Sequence, residues 1–201
     1  MACSQEPRVF EQKTIERGRS LFTVGPVAAG EVLFEEEPLV SSQFSWNKVC
    51  KYIACDYCLK NLETATQNAR RLCKDGKLEL PYPECCETVV ASQVFCEQCA
   101  TPYCSEQCRS KAFQKYHRVL CAGSGVENAD HPLQALENVW RTLHYPPETT
   151  SISLVYKLLA MIQQTNNRGE LLSQISLFCN RSKDEAADCI HKLLGISIQA
   201  L

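Results

Sequence analysis

A chain of 201 residues with 45% apolar and 22% charged side chains can bury its own core as one domain or two small ones, which excludes a disordered or collagen-like protein. Its 21 basic and 23 acidic residues leave a formal net charge of −2, too little for a global field that draws in nucleic acid or an anionic membrane. The start, MACSQEPRVF, lacks the basic and apolar regions of a secretory signal, and the most apolar run, SISLVYKLLAMI, is too short for a membrane span and carries Lys157 in its middle. We therefore expect a cytoplasmic and/or nuclear protein with no membrane contact. Thiols stay reduced there, so the fourteen cysteines point to metal rather than to disulfides.

In chain order, SLFTV (20–24) and EVLFEEEPLV (31–40) are short apolar runs separated by the Gly/Pro stretch GPVAAGE. They predict a β-hairpin with Val32 and Phe34 on one face and Leu33 on the other. From Cys50 onward the strand pattern fades. NLETATQNARRLCKDG then sets Leu62, Ala65, Ala69 and Leu72 at helical spacing, with Gly76 beyond the last turn. Arg109, Lys111, Lys115 and Arg118 form a short acid-free basic run, most simply a solvated helix face, and we expect no strong nucleic-acid binding.

GSGVENADHP (123–132) reads as a linker, and three helical stripes follow it. The first is Leu133, Leu136, Val139/Trp140 and Leu143. The second, entered through Pro146 and Pro147, is Ile152, Val155, Leu159 and Ile162. The third is opened by a Ser182–Glu185 capping box and stopped at Gly195. All three are expected to be faces that pack into the core.

The cysteines between Cys55 and Cys121 fall in order. Cys55-x2-Cys58 is followed, after a gap of 37 residues, by Cys96-x2-Cys99, then by Cys104-x3-Cys108 and His117-x3-Cys121. Eight soft or borderline ligands in four pairs suffice for two tetrahedral zinc ions. A single C-x2-C pair would fit buried free cysteines equally well, but four ordered pairs do not. Ser105 can cap a helix that carries Cys108 and runs toward His117, and if that helix persists to Cys121 the i, i+4 spacing sets both ligands on one face. Cys73, Cys85 and Cys86, inside the long gap, remain alternative ligands.

The order CxxC…CxxC-x4-CxxxC-x8-HxxxC resembles the MYND zinc finger. That resemblance implies interleaved sites, with Cys55, Cys58, Cys104 and Cys108 on one zinc and Cys96, Cys99, His117 and Cys121 on the other. ERGRSLFTVGPVAAGEVLFEEEPLV looks like the opening of a SET domain, and HYPPET with the second helix is similar to that domain's helical segment. The chain is thus identified as resembling the SET-and-MYND-domain protein-lysine methyltransferases over roughly residues 10 to 195.

The resemblance implies an S-adenosylmethionine turn at Arg17, Gly18 and Arg19, where Ser20 replaces the second glycine of the usual G-x-G, and a cofactor contact at Asn180. The family's later N-H-S-C segment and its lysine-channel tyrosine have no counterpart in the sequence. No catalytic residue is therefore assigned, and the 201-residue chain is expected to be an inactive N-terminal portion with an incomplete SET domain.

The expected fold is α+β. It comprises an N-terminal part of the SET domain with a small antiparallel β segment (1–49), an inserted double-zinc MYND finger (50–122), a linker (123–132), a helical segment (133–195) and an atypical tail (196–201). In full length the function implied is methyl transfer from S-adenosylmethionine to lysines of histone or other protein substrates. The alternative is a non-catalytic zinc-finger adaptor that recruits peptides through its finger.

Overall fold

The computed structural model describes residues 8–44, 46–47, 50–123, 131–143 and 151–178. Asn180, the helix expected from Ser182 to Gly195, the Pro146–Pro147 entry, the tail and most of the linker lie outside the described residues. The chain divides into two compact units, Met1–Leu39 and Val40–Leu201.

The first unit contains an antiparallel hairpin of β1 (Val9–Thr14) and β2 (Gly18–Thr23), in register from Val9 opposite Thr23 to Thr14 opposite Gly18. A three-residue turn closes it. The Arg17 N–H donates to Thr14 Oγ1 at 3.1 Å, and Gly18 adopts φ +66°, a conformation that glycine reaches without the Cβ clash. Phe10 and Phe22 face each other across the strands with ring centroids 6.0 Å apart.

This corrects the expected pairing: SLFTV pairs with the preceding VFEQKT and not with EVLFEEEPLV, which forms no strand. The shorter loop costs less closure entropy. In EVLFEEEPLV, Glu35, Glu36 and Glu37 would crowd like charges along a ladder, and Pro38 has no N–H to donate to one. Glu31 instead accepts from the Ala28 N–H at 3.0 Å and pairs with Arg8 at 2.5 Å. Val32 and Phe34 are 67% and 52% exposed.

In the second unit, α1 (Ala65–Cys73) opens with a capping box, Gln67 N–H to Thr64 Oγ1 at 3.2 Å and Thr64 N–H to Gln67 Oε1 at 2.8 Å. It stops at Lys74, which takes the left-handed conformation with φ 54°, so Gly76 lies beyond the cap. A short ladder follows, β3 (Val94–Phe95) against β4 (Pro102–Tyr103). Ser105 caps α2 (Glu106–Ala112), its Oγ accepting from the Cys108 N–H at 3.3 Å. That helix continues through a π-helical turn, Phe113–His117, into the brief α3 (Arg118–Leu120). Then come α4 (Pro132–Leu143), α5 (Ile152–Gln164) and α6 (Arg168–Ser176), the last of which the sequence reading missed.

The stripe expected to bury α5 does not do so. Val155 and Leu159 are 43% and 60% exposed, whereas Ser153, Lys157, Ala160, Met161 and Gln164 are buried. On α4, Leu136 and Val139 are likewise exposed and Glu137 is buried. The reason lies in the surface that α5 meets. The cysteine-rich segment offers it carbonyls and a carboxylate that would be costly to bury without donors, so polar side chains turn inward.

Tyr103 is fully buried with its ring edge on His117, the centroids 5.9 Å apart, and its hydroxyl has no hydrogen-bond partner among the described residues. Tyr103→Phe keeps the ring and removes an unsatisfied hydroxyl. It should leave stability unchanged or raise it by about 1 kcal/mol in urea unfolding; a loss of that size would mean that the hydroxyl is bonded in solution.

Candidate metal centre

The same local hairpin is built twice. In Cys55–Lys60 and in Cys96–Thr101, the first cysteine's N–H donates to the carbonyl five residues on, Lys60 or Thr101, and its carbonyl accepts from the residue four on, Leu59 or Ala100, all at 2.9 Å. Leu59 and Ala100 close these turns at φ 62° and 56°. Neither is glycine, so each turn stores roughly 1–2 kcal/mol of strain that its surroundings must hold in place. Each turn aims two thiols at one point. The flanking pairs also match, an isolated bridge of Ala54 with Asn61 and the ladder pair of Phe95 with Pro102.

Cys104 follows β4, Cys108 lies in the first turn of α2, and both meet the first knuckle. Cys58 and Cys104 Sγ are 3.6 Å apart, and Cys104 and Cys108 Sγ are 3.5 Å apart. At the second knuckle, His117 Nε2 stands 3.4 Å from Cys99 Sγ, and Cys121 Sγ stands 3.8 Å from Cys96 Sγ. Within each group of four, all ligand atoms lie within 4.8 Å of one another. A tetrahedral zinc with Zn–S near 2.3 Å has S–S edges of about 3.8 Å and S–N edges of about 3.6 Å, whereas a disulfide needs about 2.05 Å. The spacings fit the first geometry.

The groups, Cys55/Cys58/Cys104/Cys108 and Cys96/Cys99/His117/Cys121, are those that the resemblance implied. The cysteines of the long gap stand outside both. Cys73 and Cys85 are exposed, and Cys86 Sγ accepts from the Ala65 N–H at 3.2 Å, at the start of α1.

Burial opposes charge on Cys96, but N–H groups of Cys99 and Gln98 together with His117 hold its thiol down at about 6. Burial pushes Cys99 up to about 11 and raises Cys108 as well. Metal binding would release the protons that raised thiols such as Cys99 and Cys108 hold. With zinc, four thiolates give the first site a net −2 and three give the second −1. Lys111 and Lys115 stand 5.6 and 5.7 Å over the ring of Tyr57, inside the first knuckle, and Arg109 binds Glu106 at 2.8 Å. Much of the basic run thus lies against the cluster region rather than on an open face.

The π-turn sets the position of His117. Gln164 from α5 enters it, with Nε2 donating to the carbonyls of Phe113 at 2.6 Å and Gln114 at 2.5 Å and Oε1 accepting from the Val119 N–H at 3.3 Å. Lys157 Nζ donates to Asp56 O at 2.8 Å and Asp56 Oδ1 at 2.9 Å, between the ligands Cys55 and Cys58. The sequence reading missed these residues. The available signal was a lysine and a glutamine, seven apart, on a largely apolar helix.

At the expected methyl-donor turn, Arg17 ends the hairpin loop, Gly18 begins β2 and Arg19 pairs with Lys13. Nothing lies within 4 Å of where a Gly18 Cβ would stand, so bare backbone is open to an approaching ligand.

The chain is similar to the protein-lysine N-trimethyltransferase SMYD5 of Danio rerio, with 43% identity over 183 residues, 91% of this chain and 44% of that protein. The SMYD5 proteins of Gallus gallus and Homo sapiens are 42% and 41% identical over 179 residues, 89% of this chain and 43% of theirs. The chain therefore spans less than half the length of the curated relatives it matches, in their N-terminal portion. The resemblance, with its long gap between the first two cysteine pairs, suggested the fifth member of the SET-and-MYND family, and the relatives found are SMYD5 proteins. No protein-family model and no solved structure matches the chain.

His117→Ala should leave the purified chain with one zinc ion instead of two by elemental analysis; retention of both would show the pairing to be wrong. Cys99, up at about 11, must lose a proton to bind metal, and Cys96, down at about 6, is thiolate only above that pH. Zinc affinity of the second site should accordingly fall as pH falls and drop more steeply below about 6. Chelator competition across that range checks this, and a flat profile would contradict it.

Proposed function

We propose that this chain, similar over nine-tenths of its length to the N-terminal portion of SMYD5 lysine methyltransferases, serves S-adenosylmethionine-dependent methylation of protein lysines. The single observation that carries this reading is the extent and identity of that similarity. The two four-ligand clusters add to it, because their order is that of the finger the family carries. On this reading Cys55, Cys58, Cys104, Cys108, Cys96, Cys99, His117 and Cys121 hold two structural zinc ions. Each is closed by four protein ligands and so leaves no position for a substrate.

S-adenosylmethionine supplies an electrophilic methyl group. Arg17, Gly18 and Arg19 would border it, the Thr14 bond to the Arg17 N–H holding the turn and Gly18 admitting the ligand to the backbone; Asn180 is the further contact that the resemblance suggests. Histone or other lysine-containing segments are the substrates of this proposal, and the cytoplasm and/or nucleus its setting.

A second reading, a zinc-finger adaptor, draws on a groove of about 350 Å³ beside the second cluster, lined by Glu97, Arg109 and a half-exposed Phe113. The two readings separate in one experiment. Methyl transfer to protein lysines is followed by mass spectrometry for the 201-residue chain and for a chimera that adds the remaining portion of the Danio rerio relative. The chimera should transfer methyl groups and the chain alone should not. In the chimera, Gly18→Val should cut transfer at least tenfold while two zinc ions remain. Transfer by neither form would favour the adaptor, and unchanged transfer by Gly18→Val would reduce the Arg17–Arg19 turn to a structural hairpin.

A further inference from the structure

Both clusters take their ligands from residues 55 to 121, yet each is braced by a side chain from α5. Lys157 is 4% exposed, and its ammonium stands 4.7 Å over the Tyr116 ring. It reaches Asp56 O and Oδ1, and also Ser41 O at 3.2 Å, while the Tyr116 hydroxyl donates to the same Asp56. Asp56 is the residue after Cys55, so its carbonyl and carboxylate are fixed within the chelating turn itself. Gln164, 8% exposed, occupies the π-turn that presents His117. The two residues are seven apart, two helical turns, and so project from one face. Packing alone does not call for such residues, because burying an ammonium is costly and a methionine would fill the same volume.

We propose that α5 positions both metal centres, Lys157 acting on the first through Asp56 and Gln164 on the second through the π-turn. Neither is a ligand. Each removes freedom from a segment that must place a ligand, as groups surrounding metal ligands do elsewhere at a cost of about 10–100-fold in affinity when removed. The two contacts should be separable, since each reaches a different ligand segment. The inference rests on the reading of the clusters as zinc sites.

The test uses the zinc-loaded full chain. Zinc is withdrawn by a chelator, and the order in which cysteines become alkylated is read by mass spectrometry, which reports each site separately. Gln164→Ala should speed exposure of Cys96, Cys99 and Cys121 at least tenfold and leave Cys55, Cys58, Cys104 and Cys108 near the wild-type rate. Lys157→Met should do the reverse, and Lys157→Arg, which keeps the donors, should recover most of the loss. If an alanine variant fails to fold, the near-isosteric Gln164→Glu serves, because it keeps an acceptor for Val119 and loses the amide donors; it should behave as Gln164→Ala. Wild-type rates at both sites in these variants, or equal acceleration of both by each, would overturn the proposal. A wild-type chain that holds no zinc would instead refute the underlying reading.

Discussion

Eight side chains drawn from four short stretches converge on two points, and the second unit is arranged around that convergence. Among its described residues the buried apolar set is small, and two of its members, Cys55 and Cys99, belong to the clusters themselves. The others are Leu62, Tyr103, Ala112, Tyr116, Ala160 and Met161. In such a unit chelation at the two clusters would stand where a hydrophobic core normally stands, since structural zinc contributes about 10–16 kcal/mol per site in small metal-dependent folds. The strained turns at Leu59 and Ala100, the capped start of α2 and the π-turn are all arrangements that make sense once the ligands are required to meet.

A second consequence is electrical. Clusters of thiolates are anionic even when loaded, and the chain answers them locally: Lys111 and Lys115 share Tyr57, and Lys157 shares Asp56 with Tyr116. Burial and the neighbouring Asp56 carboxylate push the Tyr116 hydroxyl far above its ordinary value, so it stays a donor and does not add to the negative charge. A formal net charge of −2 over the whole chain hides this pattern, because charges that cancel at contact distance leave little trace in a sum.

How much of this was legible beforehand depended on how local the determinant was. The ligands could be read because spacing in sequence mirrors spacing at the site, and Ser105 could be read because a cap and its helix are neighbours. The hairpin was misassigned, since two apolar runs flanking a Gly/Pro stretch imitate a hairpin while the true partner, VFEQKT, carries four polar residues in six. The face of α5 was misassigned for the opposite reason. Its apolar stripe is regular, but the surface that receives the helix is polar, and no periodicity within α5 reveals what α5 meets. Leu59 and Ala100 gave no sign of left-handed backbone, and Asp56 with Lys157 joins positions 101 residues apart.

The π-turn between Ala112 and Arg118 has a consequence for how this segment can vary. An α-helix advances about 100° per residue, and a π-turn absorbs one extra residue without a full extra step of rise. The phase of everything after Ala112 is therefore set by a single inserted position. Removing one residue there would let the helix relax to ordinary winding, rotate the imidazole of His117 off the point where Cys96, Cys99 and Cys121 meet, and leave Gln164 facing carbonyls already taken. The eight-residue interval from Cys108 to His117 therefore has no slack. That interval acts as a ruler whose graduation is one residue.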